Sequence, residues 1–195
     1  MIQYIKNNSY EEYVKNQTIV NKQKLNQIWV QQGNIKKLKK YLDKSKITPI
    51  NILCHGVRNG AELRYFNNTF PNVVVMGTEI SDTAGEYPNT VQWDFHDCKE
   101  DWVGQFDLVY TNSWDHSYNL EVATDAWMKQ LKPDGRLVLE WASYSTSKPF
   151  NNVDCCGCSL ETLIEFLNLK YKVEASFSVN SRDIDNISFV IIKHK

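Results

Sequence analysis

Short apolar runs alternate with amphipathic segments over most of the chain. From Thr48-Pro49 onward the runs are rich in Val, Ile, Leu, Phe and Tyr, and segments with helical spacing separate them. Strands are predicted at 50–54, 73–78, 91–93, 106–111, 136–141, 173–179 and 187–193, and helices at 61–68, 120–131 and 160–169. This alternation is typical of βαβ units with a mostly parallel sheet. The last two runs lie close together in sequence and are expected to pair antiparallel at the sheet edge.

The first 46 residues predict helices instead. Ser9 followed by Glu12 is a capping-box signature, so a first helix is expected to begin there. Its apolar residues near one face are Tyr10, Val14, Leu25 and Ile28, and this stripe is interrupted by Gln17, Thr18 and Asn21. A second helix is predicted after Gly33, with Ile35, Leu38, Tyr41 and Leu42 on one face and lysines 36, 37, 39 and 40 outside. We expect residues 1–46 to form a helical lid over the cofactor and acceptor, which residues 47–195 would bind. Tyr10, Tyr13 and Trp29 are either lid contacts or residues that a docked helix buries.

Composition indicates an ordinary globular domain and disfavours membrane-spanning and disulfide-rich proteins. The chain has 195 residues, of which 42% are hydrophobic and 23% charged, as in ordinary globular domains. The longest apolar runs span four residues, far below the roughly 20 that cross a membrane, so no membrane association is expected. The N-terminus lacks the apolar core of a signal peptide, which favours the cytoplasm. The five cysteines fit neither a disulfide framework nor paired zinc-ligand motifs, so we expect free thiols.

Charge is distributed unevenly along the chain. Residues 1–46 carry ten lysines and three acids, net +7, whereas the remainder carries net −8. This asymmetry indicates either a surface for an anionic partner or a basic appendage docked on an acidic body. A nucleic-acid partner is possible, but the lysine face at 36–40 has no interleaved aromatic residues, which favours a solvated helix face.

The turn after the first predicted strand carries the strongest functional signal. It reads Cys54-His55-Gly56-Val57-Arg58-Asn59-Gly60, with glycines that permit positive φ and close approach of a ligand to a helix N-terminus. Glu79 ends the second strand, 23 residues after Gly56, where a carboxylate can accept both hydroxyls of a ribose. The third strand ends in Trp93-Asp94-Phe95, an acid beside an aromatic ring that suits adenine. These strand ends together predict a nucleoside site at one edge of the sheet.

In these motifs the chain resembles class I S-adenosylmethionine-dependent methyltransferases, over about residues 50–141. Leu131-Lys132-Pro133-Asp134-Gly135 is similar to that family's turn before its fifth strand. The resemblance implies an α/β fold with a doubly wound, mostly parallel seven-stranded sheet that ends in a reversed strand, and S-adenosylmethionine as cofactor. The cofactor-binding residues that it implies are His55, Gly56, Val57, Arg58, Gly60, Glu62, Glu79, Ile80, Asp94, Phe95, Asn112 and Ser113.

Two positions depart from the family pattern. Cys54 stands where the family usually has an acid, and Arg58 where it has a glycine. Arg58 could instead bind the cofactor carboxylate while Glu62 holds its amino group. The alternative is a local ion pair between these two side chains, four residues apart on the new helix.

Candidate catalytic residues follow the fourth strand. His116 could take a proton from an oxygen or nitrogen acceptor, as histidines often do in catalysis, and Asp115 could orient it or bind a cationic substrate. Alternatively, Asp115 caps the next helix and His116 packs over the cofactor. His55 is expected to line the cofactor rather than act as a base.

Other residues suited to binding have structural interpretations. Three tryptophans near strand ends are expected in the core, with stacking on an acceptor as the alternative, namely Trp93, Trp114 and Trp141. Cys155-Cys156-Gly157-Cys158 could bind a metal with Asp154, but it lacks the usual ligand pairs. A loop bordering the acceptor pocket is expected there, without a metal.

These observations predict methyl transfer to an acceptor that the sequence leaves open, as it does the oligomeric state. A non-catalytic cofactor-binding or scaffold protein is the alternative that Cys54 and Arg58 favour. A nicotinamide-dependent oxidoreductase is disfavoured because the first turn lacks G-x-G-x-x-G spacing. No Asn/Asp-Pro-Pro-Tyr motif is present, so small molecules, protein side chains and RNA ribose or caps remain as acceptors.

Overall fold

The computed structural model describes residues 1–143, 153–182 and 185–195. The strands are β1 (Gln3–Tyr4), β2 (Asn51–His55), β3 (Val74–Glu79), β4 (Thr90–Gln92), β5 (Phe106–Thr111), β6 (Leu131–Ala142), β7 (Cys156–Gly157), β8 (Lys172–Arg182) and β9 (Asp185–Lys193). The α-helices are α1 (Tyr10–Gln23), α2 (Gln32–Lys44), α3 (Ala61–Thr69), α4 (Leu120–Gln130) and α5 (Leu160–Lys170). Short 3₁₀ turns span Asp82–Glu86, Glu100–Trp102 and Trp114–His116.

Seven strands form the main sheet in the order β4-β3-β2-β5-β6-β9-β8. The first five of these pair in parallel, and β9 is antiparallel to both β6 and β8. The predicted seven-stranded, mostly parallel sheet with a reversed strand is therefore confirmed. Chain order reverses between β2 and β5, which makes the carboxyl ends of these strands the expected place for a ligand.

Each face of the sheet is covered by its own apolar cluster. On one face, Leu38 of α2 and Phe66 of α3 pack with Ile52 of β2. On the other, Trp127 of α4 packs with Leu53 of β2, one residue along the same strand. Successive side chains of a strand point to opposite faces, so a central strand covered on both sides reads as a continuous apolar run. This explains why the central strands were recognisable in the sequence.

The turn predicted at 131–135, before the strand predicted at 136–141, is a bulge within β6. Leu131 lies opposite Phe106 of β5, but Arg136 lies opposite Leu108, so residues 132–135 face a single residue, Asp107. Lys132 stabilises this bulge with its Nζ 2.7 Å from Asp107 Oδ1. The helix ends one residue before the bulge, as the Pro-Gly sequence predicts.

Helix α1 begins at the predicted cap. The Ser9 hydroxyl accepts a hydrogen bond from the Glu12 backbone N–H at 3.2 Å. The Glu12 carboxylate accepts one from the Asn8 N–H at 2.7 Å, one residue before the expected partner. The helix ends at Gln23, so Leu25 and Ile28 lie beyond it.

The predicted apolar stripe of α1 is wrong. Its buried residues are Tyr13, Gln17 and Asn21, and two of these are the polar positions that interrupted the stripe. A helix that buries amides needs polar partners to receive them. The buried face of α1 therefore indicates a polar site beneath it.

The segments flanking α1 are attached to the rest of the chain. Ile35 and Leu42 of α2 belong to the same apolar cluster as the sheet. At the other end, β1 pairs antiparallel with β7, with Tyr4 opposite Cys156. Among the described residues, no helix combines the length and apolarity needed to cross a membrane.

Candidate functional site

A cavity with two adjoining lobes lies at the carboxyl ends of β2, β3, β4 and β5. The β3 lobe is bounded by the loops after β3 and β4 and by α1. The α3 lobe is bounded by the start of α3, the loop after β5 and residues 24–29. The residues that line both lobes are Gly56, Arg58, Ser113 and His116. This is the position that the reversal of strand order predicts for a ligand.

The turn after β2 requires glycine at its first position. Gly56 has φ +70°, and a Cβ there would lie 2.7 Å from both Cβ and Oγ of Ser113. The Gly56 and Val57 N–H groups both donate to the Thr78 carbonyl, at 2.9 and 3.1 Å. Gly60, with φ +67°, precedes α3 and does not line either lobe; its conformation is one that glycine adopts readily.

Glu79 lines the β3 lobe at the end of β3. Its Oε2 accepts a hydrogen bond from the Arg58 N–H at 2.9 Å, and its Oε1 accepts one from the Ser81 N–H at 3.1 Å. A carboxylate offers about four lone-pair sites. Glu79 thus holds the loop and the turn in place and retains capacity for two further donors, such as ribose hydroxyls.

Asp94 is fixed by hydrogen bonds in the β3 lobe. Its Oδ1 lies 2.7 Å from His96 Nδ1, and its Oδ2 accepts a hydrogen bond from the Tyr10 hydroxyl of α1 at 2.9 Å. Burial opposes ionisation, but the hydrogen bonds from His96 and Tyr10 hold the pKa of Asp94 below its ordinary value. His96 Nε2 in turn lies 2.8 Å from the Ser117 hydroxyl. His96, which no sequence motif marked as a site residue, holds Asp94 in orientation.

Glu62 is the most perturbed acid of the α3 lobe. It is 6% exposed, its Oε1 accepts a hydrogen bond from the Asn112 amide at 3.3 Å, and its Oε2 has no hydrogen-bond partner. Burial raises its pKa to about 7, against the opposing charge of Arg58. A buried carboxylate oxygen without a partner is costly unless a ligand supplies a donor.

His116 stands where the two lobes meet. Its Nδ1 lies 3.0 Å from Gln17 Oε1 of α1. Its Nε2 lies 3.8 Å from Asp154 Oδ1 and 3.9 Å from Asp115 Oδ1. The imidazole therefore has a hydrogen-bonded nitrogen and a second nitrogen near two carboxylates.

Asp115 lies beneath His116 and is 3% exposed, outside the lining of both lobes. The alternative that it caps the following helix is wrong, because Asn119 caps α4 through a hydrogen bond from the Val122 N–H at 3.3 Å. A position behind the imidazole suits an orienting carboxylate better than a direct contact with substrate.

The prediction that His55 lines the cofactor is corrected by the structure. Its ring is fully buried, with Nδ1 2.8 Å from the Thr78 hydroxyl and Nε2 2.8 Å from Gln130 Oε1. It stacks on Trp127, on the α4 side of the sheet. Burial lowers its pKa to about 4, so it stays neutral and packs in the core.

Ten of the twelve residues implied by the resemblance line the cavity. They are Gly56, Val57, Arg58, Glu62, Glu79, Ile80, Asp94, Phe95, Asn112 and Ser113. The other lining residues come mainly from the N-terminal region, namely Tyr13, Gln17, Val20, Asn21, Lys24, Gln27, Ile28 and Trp29. Of these, only Tyr13 and Trp29 were named as lid contacts from the sequence. The buried amides of α1 were visible in the sequence as interruptions of an apolar stripe.

The tryptophans and cysteines near the site are largely structural. Trp114 and Trp141 are buried in the core as predicted, whereas Trp93 lines the β3 lobe. The cysteines of the 155–158 cluster are buried free thiols, and burial raises the pKa of both Cys155 and Cys158 to about 11. Within the part of the chain that the structure describes, no three His, Cys, Asp or Glu side chains are grouped to hold a metal ion.

Comparison by sequence and comparison by structure give different results. The sequence matches no protein-family model and no curated protein. The structure does match solved proteins. A Burkholderia thailandensis 1,6-didemethyltoxoflavin-N1-methyltransferase, solved with 1,6-didemethyltoxoflavin and S-adenosylhomocysteine bound, is similar over 100% of this chain and 95% of its own, with a TM-score of 0.72 and 14% identity.

Two further solved structures with a similar fold are enzymes named for different reactions. The N-methyltransferase NodS from Bradyrhizobium japonicum WM9 matches over 82% of this chain and 94% of its own, with a TM-score of 0.59 and 17% identity. The [4+2]-cyclase SpnF matches over 82% and 80%, with a TM-score of 0.61 and 13% identity. The chain therefore has the fold of class I S-adenosylmethionine-dependent methyltransferases, a fold that also serves an enzyme named for another reaction.

Proposed function

We propose that the protein is an S-adenosylmethionine-dependent methyltransferase that binds its cofactor across both lobes. One observation carries this proposal: a buried carboxylate with unused acceptor capacity lies in each lobe, on either side of the Gly56 turn. Glu79 provides it in the β3 lobe and Glu62 in the α3 lobe. A ligand with hydroxyl donors at one end and an ammonium group at the other satisfies both.

The nucleoside end fits the β3 lobe. Glu79 would accept the ribose hydroxyls, and Asp94 would receive the adenine amino group beside the ring of Phe95. Ile80 contributes an apolar wall to the same lobe. A dinucleotide is the weaker alternative, because the turn lacks the glycine spacing that brings a pyrophosphate onto a helix N-terminus.

The amino-acid end fits the α3 lobe. The Glu62 oxygen without a partner would accept the ammonium group, and Arg58 would pair with the carboxylate. Asn112, which already donates to Glu62, would keep that acid in orientation. These residues replace the acid and glycine expected from the resemblance, where Cys54 is fully buried and Arg58 adopts φ +44°.

When bound, the cofactor would supply an electrophilic methyl group on a sulfonium, which bonds to the acceptor lone pair as the carbon–sulfur bond breaks and S-adenosylhomocysteine leaves. The chain's own part is to align the two reactants and to exclude water. His116, which lines both lobes, would take the proton from the acceptor's oxygen or nitrogen. Asp115 and Asp154, with oxygens 3.9 and 3.8 Å from His116 Nε2, would stabilise the imidazolium that results.

Residues 1–46 would act as the lid of this site. Tyr13, Gln17 and Asn21 of α1 line the β3 lobe, so α1 would cover a ligand bound there. Lys24 and Trp29, beyond the end of α1, line the α3 lobe. Closure of such a segment over bound reactants is a common way to remove water from a reaction.

A small planar molecule is the acceptor class that we propose. The Burkholderia thailandensis enzyme, whose structure is similar over 100% of this chain, was solved with 1,6-didemethyltoxoflavin bound. In this chain the half-exposed ring of Trp29 offers a flat apolar surface at the mouth of the α3 lobe. A cofactor-binding protein without methyl transfer is the second candidate, favoured by the likeness to a [4+2]-cyclase.

Isothermal titration calorimetry and a methyl-transfer assay test this proposal. We expect S-adenosylmethionine and S-adenosylhomocysteine to bind with micromolar dissociation constants, and NAD and NADP to give no heat. Incubation with S-[methyl-³H]adenosylmethionine and a panel of planar heterocycles with N–H or O–H groups should then label one acceptor. Binding without labelling of any acceptor would favour the second candidate, and absence of binding would refute both.

A further inference from the structure

We infer that Gln17 of α1 is a positioning residue that holds the His116 proton on Nδ1 and leaves Nε2 as the proton-accepting nitrogen. This inference rests on the proposed function, because it assigns the form in which His116 would act. Gln17 lines the β3 lobe, and the role assigned to it here is exerted through His116. It was absent from the sequence-based candidates.

The orientation of the Gln17 amide is fixed from its donor side. Its Nε2 lies 2.8 Å from the Val153 carbonyl oxygen, which can only accept a hydrogen bond. The same Nε2 lies 3.8 Å from the Cys155 sulfur. The amide nitrogen must therefore point toward residues 153–155, and Oε1 must point toward His116.

This orientation determines the tautomer of the imidazole. Gln17 Oε1 lies 3.0 Å from His116 Nδ1, and an amide oxygen has no proton to give. The hydrogen bond exists only if Nδ1 carries the proton. In the neutral ring Nε2 then carries the lone pair.

The groups around His116 Nε2 stabilise the protonated imidazolium more than the neutral ring with its proton on Nδ1. Asp154 Oδ1 and Asp115 Oδ1 lie 3.8 and 3.9 Å from Nε2, beyond direct hydrogen-bond distance but close enough to stabilise positive charge. Without Gln17, these carboxylates would favour a proton on Nε2 and so block its lone pair. While the ring is neutral, the hydrogen bond from Nδ1 to Gln17 therefore counteracts the preference of the two carboxylates for a proton on Nε2.

Because Gln17 belongs to α1, the competent tautomer depends on the lid. The described contacts that hold α1 over the cavity are polar or aromatic, and include Asn21 to the Thr83 hydroxyl at 3.1 Å and Lys22 to Asp82 at 2.8 Å. None of the α1 residues belongs to either apolar cluster of the sheet. Movement of α1 would take the Gln17 acceptor away from His116 Nδ1. Closure of the lid would therefore also place the proton on Nδ1 and leave Nε2 able to accept one.

Nuclear magnetic resonance of ¹⁵N-labelled histidine tests this inference without an acceptor. Long-range ¹H–¹⁵N spectra distinguish the Nδ1–H and Nε2–H tautomers, and the chain has four histidines, of which His116 is identified by its loss in His116→Asn. Spectra would be recorded with bound S-adenosylhomocysteine at about pH 8, above the ordinary histidine pKa. We expect His116 in the Nδ1–H form in the wild type and in the Nε2–H form in Gln17→Leu.

Two variants separate positioning from simple anchoring of α1. Gln17→Glu loses the donor to Val153 but keeps an acceptor for Nδ1, so we expect it to retain the Nδ1–H form. Gln23→Leu makes the same change as Gln17→Leu on an exposed position of the same helix and should match the wild type. An anchoring role alone would make Gln17→Glu resemble Gln17→Leu.

The outcomes distinguish this inference from the proposed function. An Nε2–H form in the wild type, or an Nδ1–H form in Gln17→Leu, would overturn the role of Gln17 even if S-adenosylhomocysteine binds. Absence of S-adenosylhomocysteine binding in the calorimetric titration would overturn the proposed function. The tautomer of His116 in the ligand-free protein would still report whether Gln17 controls it.

Discussion

The carboxylate of Glu79 accepts a hydrogen bond from the backbone N–H of Arg58, with Oε2 2.9 Å from the nitrogen. This hydrogen bond joins the end of β3 to the turn after β2. The two elements need a fixed relative position to bind the same ligand. It also satisfies an N–H in a turn where Arg58 adopts the left-handed φ of +44°. The acid at the centre of the proposed ribose site is thus part of the scaffold that shapes it.

Substitution Glu62→Gln is expected to stabilise the ligand-free protein and weaken cofactor binding. Since burial raises the Glu62 pKa to about 7, the folded protein retains a proton that the unfolded chain releases above its ordinary pKa. Stability is therefore lost as pH rises toward and through 7. At about pH 8 we expect Glu62→Gln to increase the free energy of unfolding by roughly 1–3 kcal/mol.

The same variant should lower the affinity for S-adenosylhomocysteine at least tenfold at about pH 8, because the ammonium group loses its charged partner. Denaturant unfolding and calorimetric titration measure the two effects. Glu165→Gln, an exposed glutamate of α5, is the matched control and should change neither. An unchanged affinity in Glu62→Gln would remove Glu62 from the binding site.

Substitution Gly56→Ala is expected to be more damaging than Gly104→Ala. Both glycines have φ near +70°, but a Cβ at Gly104 meets no atom within 4 Å, whereas one at Gly56 lies 2.7 Å from Ser113. Backbone strain alone costs about 1 kcal/mol, and the added contact would raise the cost to roughly 2–4 kcal/mol. Denaturant unfolding of the two variants measures the difference. Equal losses would show that the approach of Gly56 to Ser113 is unimportant.

Substitution Tyr13→Ala tests the lid. Tyr13 is 3% exposed, and its ring packs against Tyr118 and His96 at centroid distances of 4.9 and 5.9 Å. We expect its loss to increase amide hydrogen exchange in α1 more than tenfold, with bound S-adenosylhomocysteine reducing the increase. Ile19→Ala, on the exposed side of the same helix, should leave exchange near the wild-type rate. Equal exchange in the two variants would contradict attachment of α1 through Tyr13.

Cys98 should react with iodoacetamide before the other cysteines. It is half-buried, whereas Cys54, Cys155, Cys156 and Cys158 are buried. Burial raises the pKa of the Cys155 and Cys158 thiols to about 11, which keeps the reactive thiolate scarce near pH 8. Mass spectrometry of peptides after brief alkylation measures the order, and denaturant should expose all five thiols. Early modification of Cys155 would contradict the closed arrangement of residues 153–158.

Much of the sheet was predictable because its signals are local. Strand β5 occupies the predicted range of 106–111, and β2 and β3 differ from their predicted ranges by one residue at each end, since continuous apolar runs mark strands covered on both faces. Strand β6 begins at Leu131, five residues before its predicted start, because the bulge at 132–135 belongs to the strand. Gly56 and Glu79 were recognisable because a tight turn and a strand end place them at the sheet edge whatever the rest of the chain does. The two-residue period of a strand does not reveal which face His55 occupies, and the structure places it in the core.

The contribution of α1 depends on tertiary contacts and was not predictable from periodicity. Gln17 and Asn21 read as breaks in an apolar stripe, although they form the buried face. Their burial is stabilised by partners more than 60 residues away in sequence, namely His116, Val153 and Thr83. Likewise, His96 contacts Asp94 through Nδ1 and Ser117 of the loop after β5 through Nε2. The second contact spans 21 residues of sequence and could not be predicted from local pattern.

A crystal structure of the protein with S-adenosylhomocysteine would show which side chains bind each end of the ligand. We expect ribose hydroxyls within hydrogen-bond distance of the Glu79 carboxylate, the ammonium group on Glu62 Oε2, and the sulfur facing His116 where the two lobes meet. Clear density for the ligand away from Gly56, with Glu79 making only its two backbone hydrogen bonds, would contradict it.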